Sequence, residues 1–286
     1  GVGTVVVAPG SGFVAGQAMA FDLVGSTQSA AVAKQSAAMV TNLGFGGGSS
    51  RADGLYRLRE LLDDARFYRR QARAYEQGRL RELSASRLDL QAMQPVLRKE
   101  TPLLVSANRA SDIEALLRFV EEEDVRMIIQ GGAEAWMHAD ALAAAEIPVL
   151  INPLQYGVSG FDSIHARKDN AALLEAAGVL VVIVNLDFRT HNARKLRQVA
   201  GNAVREGMTH QGALDAITTN VARAFGLPHH GQLAPGHSAN VVIWSGDPLE
   251  ISSRPLHMWI QGQKIDLRSR QTELLEKYRD LPSTQD

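Results

Sequence analysis

The residues able to do chemistry in this chain fall just after short apolar runs, where a strand would end. Ser106, Asn108 and Arg109 close the run 102–107, and Gly131-Gly132 follow 126–130. Asn152-Pro153 follow 147–151; Asn185 and Asp187 follow 179–184, with His191 a few residues on. Ser106, Asn108, Asn152 and Asn185 offer hydroxyl and amide groups. These suit a substrate's polar atoms, or equally the backbone groups left open at strand ends and helix caps. Arg109 has the planar fork that grips a carboxylate, or it pairs with Asp112 or Glu134. Asp187 could serve as a general base, or cap a helix, or pair with Arg189 or Arg194. His191 could face the same site. Gly131-Gly132 read as a tight turn. His138, His165, His210 and His257 read as surface or packing residues, and His229-His230 as an exposed loop pair. Glu134 opens a helix, where its charge suits the helix dipole.

The elements that must position these residues follow from periodicity. Residues 4–8 are a β-branched run stopped by Pro9-Gly10-Ser11-Gly12, and 16–24 is a second extended piece. Residues 43–50 are a glycine-rich loop, without the spacing of a phosphate cradle. Leu55, Leu58, Leu62, Ala65 and Tyr68 recur at helical spacing in 51–77, whose arginines form a solvated face laced with Glu60, Asp63 and Asp64. From Thr101 a strand–helix rhythm sets in. The strands are 102–107, 126–130, 147–151 and 179–184, and the helices are 111–123, 134–145, 161–177 and 193–206. Near-continuous apolar strands joined by helices mean parallel pairing with right-handed crossovers. That pattern is met in part of a (β/α)₈ barrel or in an open doubly wound sheet. In either, the site lies at the carboxyl ends of the strands. A helix over 209–226, antiparallel strands at 241–244 and 257–260, and a charged helix over 268–278 complete the chain.

The bulk numbers narrow the function classes. The chain has 286 residues, 45% of them apolar, enough for a sizeable core. The net charge of −1 argues against a nucleic-acid partner or an anionic membrane surface. No apolar run is long enough for a spanning helix. Absence of cysteine excludes disulfides, thiolate metal sites and cysteine nucleophiles. The chain opens on a strand already under way, so a further segment before Gly1 is expected.

Four stretches carry a family resemblance. Residues 102–113 (PLLVSANRASDI) resemble the amidohydrolase strand that reads Leu-Val-His-Ala-His-Arg. Residues 128–135 (IIQGGAEA) resemble the next strand, which ends His-Gly-Thr-Glu-Ala. Residues 213–227 (ALDAITTNVARAFGL) and 231–249 (GQLAPGHSANVVIWSGDPL) are similar to that family's C-terminal pattern. The resemblance is closest to the imidazolonepropionase-like and prolidase-like branch.

The resemblance implies a partial (β/α)₈ TIM-type barrel with parallel strands over 1–227. It also implies a small β appendage, part of a β-sandwich built from both termini, over 228–267, followed by a helical tail, 268–286. It implies zinc or another divalent metal that activates water against a C–N bond. Ser106, Asn108 and Gly131 stand where the family has histidines. Asp187, with Asn185 as the weaker alternative, stands at the last-strand aspartate, which makes Asp187 the catalytic and metal candidate. Serine and asparagine are poor zinc ligands, and glycine offers none. Two readings therefore stand. One is an amidohydrolase-type hydrolase acting on non-peptide amide or dipeptide-like bonds of a small-molecule substrate. Ser106, Asn108, Arg109, Asn152, Asn185 and His191 would bind that substrate. The other is an inactive barrel, without metal, that binds or scaffolds. A barrel lacking its early strands would leave open edges, so the preceding segment or an oligomeric partner is expected to cover them. Members of this branch are often exported, which makes a periplasmic or secreted location the expectation.

Overall fold

In the computed structural model, which describes residues 1–24, 31–43, 50–79, 81–158, 160–185 and 190–279, one sheet of seven strands runs in sequence order. β1 (Thr4–Val7) and β2 (Val14–Asp22) form an antiparallel hairpin about Pro9-Gly10-Ser11-Gly12. β3 (Val32–Thr41) pairs antiparallel with β2 and parallel with β4 (Leu103–Ala107). β5 (Met127–Gly131), β6 (Val149–Ile151) and β7 (Val181–Ile183) continue in parallel.

The sheet is therefore mixed, which corrects the expectation of parallel strands throughout. A tight turn can only return the chain antiparallel, because a parallel return needs a crossover of a dozen residues or more. β3 has no counterpart in the sequence reading, since its Ala-Lys-Gln-Ser-Ala-Ala stretch lacks a β-branched period. Among the described residues there are not eight strands to close a barrel.

Side-chain alternation gives the sheet two buried faces. Leu103, Val105, Met127, Ile129, Val149, Ile151, Val181 and Ile183 pack against the helices. These helices are α1 (Arg51–Glu76), α2 (Arg87–Ala92), α3 (Gln94–Leu97), α4 (Ala110–Glu123), α5 (Ala139–Ala144), α6 (Asn170–Ala176), α7 (Leu196–Arg205) and α8 (His210–Ala216). Leu104, Ile128, Leu150 and Val182 point the other way, onto Ala18, Ala20, Ala38, Val40 and the end of α9 (Thr219–Phe225). The small alanines of β2 and β3 let that inner face close tightly.

Several long helical patterns break. The stretch 161–177 is a 3₁₀ turn (Phe161–Ser163), an irregular segment and then α6. Likewise 3₁₀ turns at Ala135–His138 and Thr190–Lys195 precede α5 and α7, and 209–226 divides into α8 and α9. Asp64 is buried rather than on the solvated face of α1, where it accepts hydrogen bonds from Arg81 (2.8 Å) and the Ser84 amide (2.7 Å). Residues 44–49 of the glycine-rich loop lie outside the described residues.

A second sheet of three antiparallel strands follows: β8 (Val241–Trp244), β9 (Pro255–Ile260) and β10 (Gln263–Lys264). The chain ends on α10 (Arg270–Tyr278). The start of the chain lies against this small sheet, with Gly1 beside Trp244 and Gly3 beside Met258.

One carboxylate fastens the two sheets. Asp22 is 2% exposed and accepts from Thr4 (2.7 Å), Asn240 (2.8 Å), Gln261 (2.9 Å) and His230 Nε2 (3.2 Å). His230 is thus largely covered, unlike the exposed pair expected from the sequence. Burial by itself would raise the Asp22 pKa, but the hydrogen bonds from Gln261, Thr4, Asn240 and His230 outweigh it and hold the carboxyl below its ordinary value. A depressed folded-state pKa contributes stability that is present above the unfolded value and is lost as pH falls through the folded one. Asp22→Asn is expected to cost roughly 2 kcal/mol at neutral pH. Thermal melts from pH 7 to pH 3 should show the gap to wild type shrinking in acid, and a gap constant with pH would remove this role from Asp22.

Candidate functional site

The carboxyl ends of β4, β5 and β6 meet at a turn whose backbone is held by side chains. Ser106 pairs in register with Gln130, and both continue the inner face of Leu104 and Ile128. Ala107 pairs with Gly131 on the helix side. The inward residue at the end of β5 is therefore Gln130, which the sequence reading passed over. The period of two from Ile128 was the signal for it.

Gly131 and Gly132 have φ of +104° and +60°. Gly132 donates to the Ala107 carbonyl (2.7 Å), while Asn108 takes the Ala133 amide on Oδ1 (3.3 Å) and the Glu134 amide on its own carbonyl (2.9 Å). A Cβ on Gly131 would stand 2.4 Å from Asn108 Oδ1, and one on Gly132 would stand 2.7 Å from Val149. The turn thus demands glycine at both positions.

Glu134 is 2% exposed and joins three segments. One oxygen accepts from the Ala110 amide at the start of α4 (2.9 Å), the other from the His165 amide (3.0 Å). Trp136 Nε1 donates to the His165 carbonyl (2.9 Å). With both backbone groups of His165 engaged here, the stretch before α6 cannot be helical, which accounts for the break in 161–177. Asn170 then donates through Nδ2 to the Gly132 (2.8 Å) and Ala133 (3.3 Å) carbonyls. Its Oδ1 is buried and meets no donor. A buried acceptor left open costs about 1–3 kcal/mol.

These groups border a cavity of about 500 Å³, lined by Asn108, Gly131, Asn152, Arg167, Lys168 and Asn170 among others. That volume suits a small ligand. A larger cavity, about 760 Å³, runs between residues 1–6, the α7–α9 region and the small sheet, and includes none of the described strand-end candidates.

The candidates divide accordingly. Asn108 and Asn152 reach the cavity, and Asn152 is buried, its Oδ1 accepting the Leu154 amide (3.0 Å). Ser106 is exposed on the inner face. Arg109 precedes α4 as its cap residue and makes no close ion pair with Asp112 or Glu134 among the described residues, although its charge is felt at Asp112. Arg51 holds Asp112 (2.7 Å) and also Asp162, so it straps α1 across this rim. Asn185 donates to the Asn192 carbonyl (3.2 Å). Asp187 lies outside the described residues, as does the side chain of His191.

The described rim offers a hydroxyl, amides and glycine, a donor set that does not fit zinc. Among the described residues no group of three His, Asp or Glu could hold a metal ion.

Comparison with known proteins bears on what this rim belongs to. The family model described as "Amidohydrolase family" matches residues 187–265. The amidohydrolase tasK of Hapsidospora irregularis is 31% identical over 72 residues, covering 25% of this chain and 7% of that protein. An imidazolonepropionase of a Ruegeria species is 34% identical over 67 residues, 22% of this chain and 16% of that protein. The matched stretches therefore span less than a fifth of these curated relatives. A crystal structure of an amidohydrolase from Thermotoga maritima aligns with a TM-score of 0.83 at 26% identity, covering 94% of this chain and 73% of that one.

Gly131→Ala is expected to lower stability by roughly 2–4 kcal/mol, from the positive φ together with displacement of Asn108. Adding Asn108→Ala should recover only the part due to the contact. A denaturant melt of Gly131→Ala within 0.5 kcal/mol of wild type, on the order of measurement scatter, would show that the turn tolerates a side chain.

Proposed function

The chain belongs to the amidohydrolase superfamily, and from that premise we propose that it is a hydrolase of carbon–nitrogen bonds in small non-peptide amides or dipeptide-like molecules. The observation that carries this reading is the alignment of nearly the whole chain with the Thermotoga maritima amidohydrolase. The cavity at the carboxyl ends of β4–β6 supports it, because parallel α/β sheets gather their polar groups there. In this reading the oxygens of Asn108 and Asn152 are already occupied by backbone amides, so each presents its Nδ2 to the substrate. Asp187 is assigned the proton-accepting role, with Ser106, Arg109, Asn185 and His191 as the further binding candidates. A divalent metal, if bound, would draw its ligands from Asp187 and from residues beyond the described rim. The rim itself serves to bind and orient.

One observation favours a second reading, a binding protein without hydrolysis. Where the family resemblance places a histidine, the turn at Gly131 requires glycine, with the side chain of Asn108 filling the space.

The two readings separate by assay. The full natural protein is expected to release amine from N-acyl amino acids or dipeptides above the uncatalysed rate. Asp187→Asn should reduce that rate by about 100-fold or more, the scale of general-base catalysis. Metal content by mass spectrometry, with activity before and after chelation, decides whether a metal takes part. A folded protein that hydrolyses nothing in the panel and carries no metal would leave only the binding reading.

A further inference from the structure

We propose that the large cavity between residues 1–6, α7–α9 and the small sheet binds a free amphipathic monocarboxylate. Its aliphatic chain lies within the cavity and its carboxylate on Arg194 and Lys195. No residue lines both this cavity and the one at the strand ends, so the site stands or falls independently of the hydrolase reading.

The cavity, at about 760 Å³, falls within the range of roughly 300–1,000 Å³ that holds a small ligand. Its lining is mainly apolar, with Leu196, Leu214, Ile217, Val221, Val242 and Trp244 among the residues that form it. Two sides are braced against collapse. On one, the Arg197 guanidinium lies over the Trp244 ring, 5.2 Å from its centroid. The same group donates to the carbonyls of Pro248 (2.9 Å), Ser253 (2.8 Å), Ile251 (3.4 Å) and Glu250. On the other, Thr4, His230 and Asn240 are drawn to Asp22. Those three polar side chains are thereby committed, and Thr218 donates to the Leu214 carbonyl (2.7 Å). The body of a ligand here meets hydrocarbon, and apolar burial is what stabilises it.

The charge on the lining has one sign. None of the described residues that form it is Asp or Glu, while Arg194, Lys195 and Arg197 stand close together at the start of α7. Arg197 has spent its donors on the four carbonyls. Arg194 donates only to the amide oxygen of Gln271, at 3.3 Å. Lys195 has no carboxylate within ion-pair distance among the described residues. Adjacent like charges repel, and an anion between them relieves this. Both side chains are exposed, so a carboxylate can meet them at the border of the cavity without losing its water. Leu233, 81% exposed, continues the apolar lining outward there. Two cations fall short of the cluster of about 4–8 that recognises an anionic bilayer, so the ligand is free in water.

The probe is decanoate, kept below its micellar concentration and titrated by calorimetry into the full natural protein. Decanol carries the same chain without the charge, and butyrate the same charge with little chain. Wild type should bind decanoate about tenfold more tightly than either. The double variant Arg194→Gln, Lys195→Gln should bring decanoate down to the level of decanol, whose own binding stays in place. Both residues are exposed, so this variant is expected to fold, which circular dichroism checks. Val242→Trp narrows the cavity and should weaken decanoate and decanol together. Equal binding of decanoate and decanol by wild type, or a preference that survives the double variant, would overturn the assignment. So would undiminished binding by folded Val242→Trp, or a folded full-length protein that binds no decanoate. Attachment to phosphatidylglycerol vesicles without binding of decanoate would overturn it too, by giving this face to a membrane.

Discussion

A buried carboxylate can persist only if its lone pairs are met, and Glu134 meets this condition with backbone rather than with cations. Its two oxygens take the Ala110 and His165 amides, groups from segments 55 residues apart in sequence. One of these is an open donor at the first turn of α4, where the partial positive charge of the helix end adds to the attraction. The other pulls the chain following β6 across the top of the sheet. Because Glu134 itself stands just after the Gly131-Gly132 turn, this one side chain sets how β5, α4 and the 160–169 segment meet. Asn108 and Asn170 then bond to the backbone of 132–134, so the rim is a lattice of side-chain-to-backbone bonds with few alternatives.

Such a rim has consequences for the shape of the site. Holding His165 by both its N–H and its carbonyl denies that stretch the bonds of a helix, and α6 begins only at Asn170. Residues 164–169, thereby released, are irregular chain that carries Lys168 to the cavity, while Phe161 stays exposed in the preceding 3₁₀ turn. A continuous helix through 161–177 would have turned these residues at 3.6 per turn and scattered them around its axis. Asp22 plays a comparable part, joining β1 and β2 to Asn240, just before β8, and to the Gln261 turn of the small sheet through side chains. Backbone pairing builds each sheet, and single buried carboxylates fix what lies between them.

The sequence made some of this readable and concealed the rest for definable reasons. β4 to β7 are apolar on both faces, a local property, and their parallel order follows from the helices between them. The antiparallel start was harder, because β3 draws its stability from alanines packed against Leu104 and Ile128, and alanine carries no strand preference of its own. Asn108 and Asn152 could be named as candidates because a position after a strand is legible from the strand, and both line the cavity. Lys168 and Asn170 could not, since they reach the cavity only through a helix break imposed by Glu134, 31 residues before His165 in the chain. Arg109 invited pairing with Asp112 by proximity in sequence, yet Arg51 from α1 reaches Asp112 first. Pairings that depend on tertiary approach leave no local trace.

Gly131 shows how fold and chemistry constrain one another at a single position. The left-handed backbone there lets the chain leave β5 and bring Glu134 within reach of α4 two residues after the turn. Any side chain would meet Asn108 Oδ1, which the Ala133 amide holds in place. An imidazole at this position would therefore have to displace the bond that shapes the turn before it could reach a ligand. Among the described residues, the rim as built favours recognition by hydrogen bonds. On the proposed hydrolase reading, Asp187 and groups beyond these strand ends are assigned the chemistry, and the strand ends the positioning.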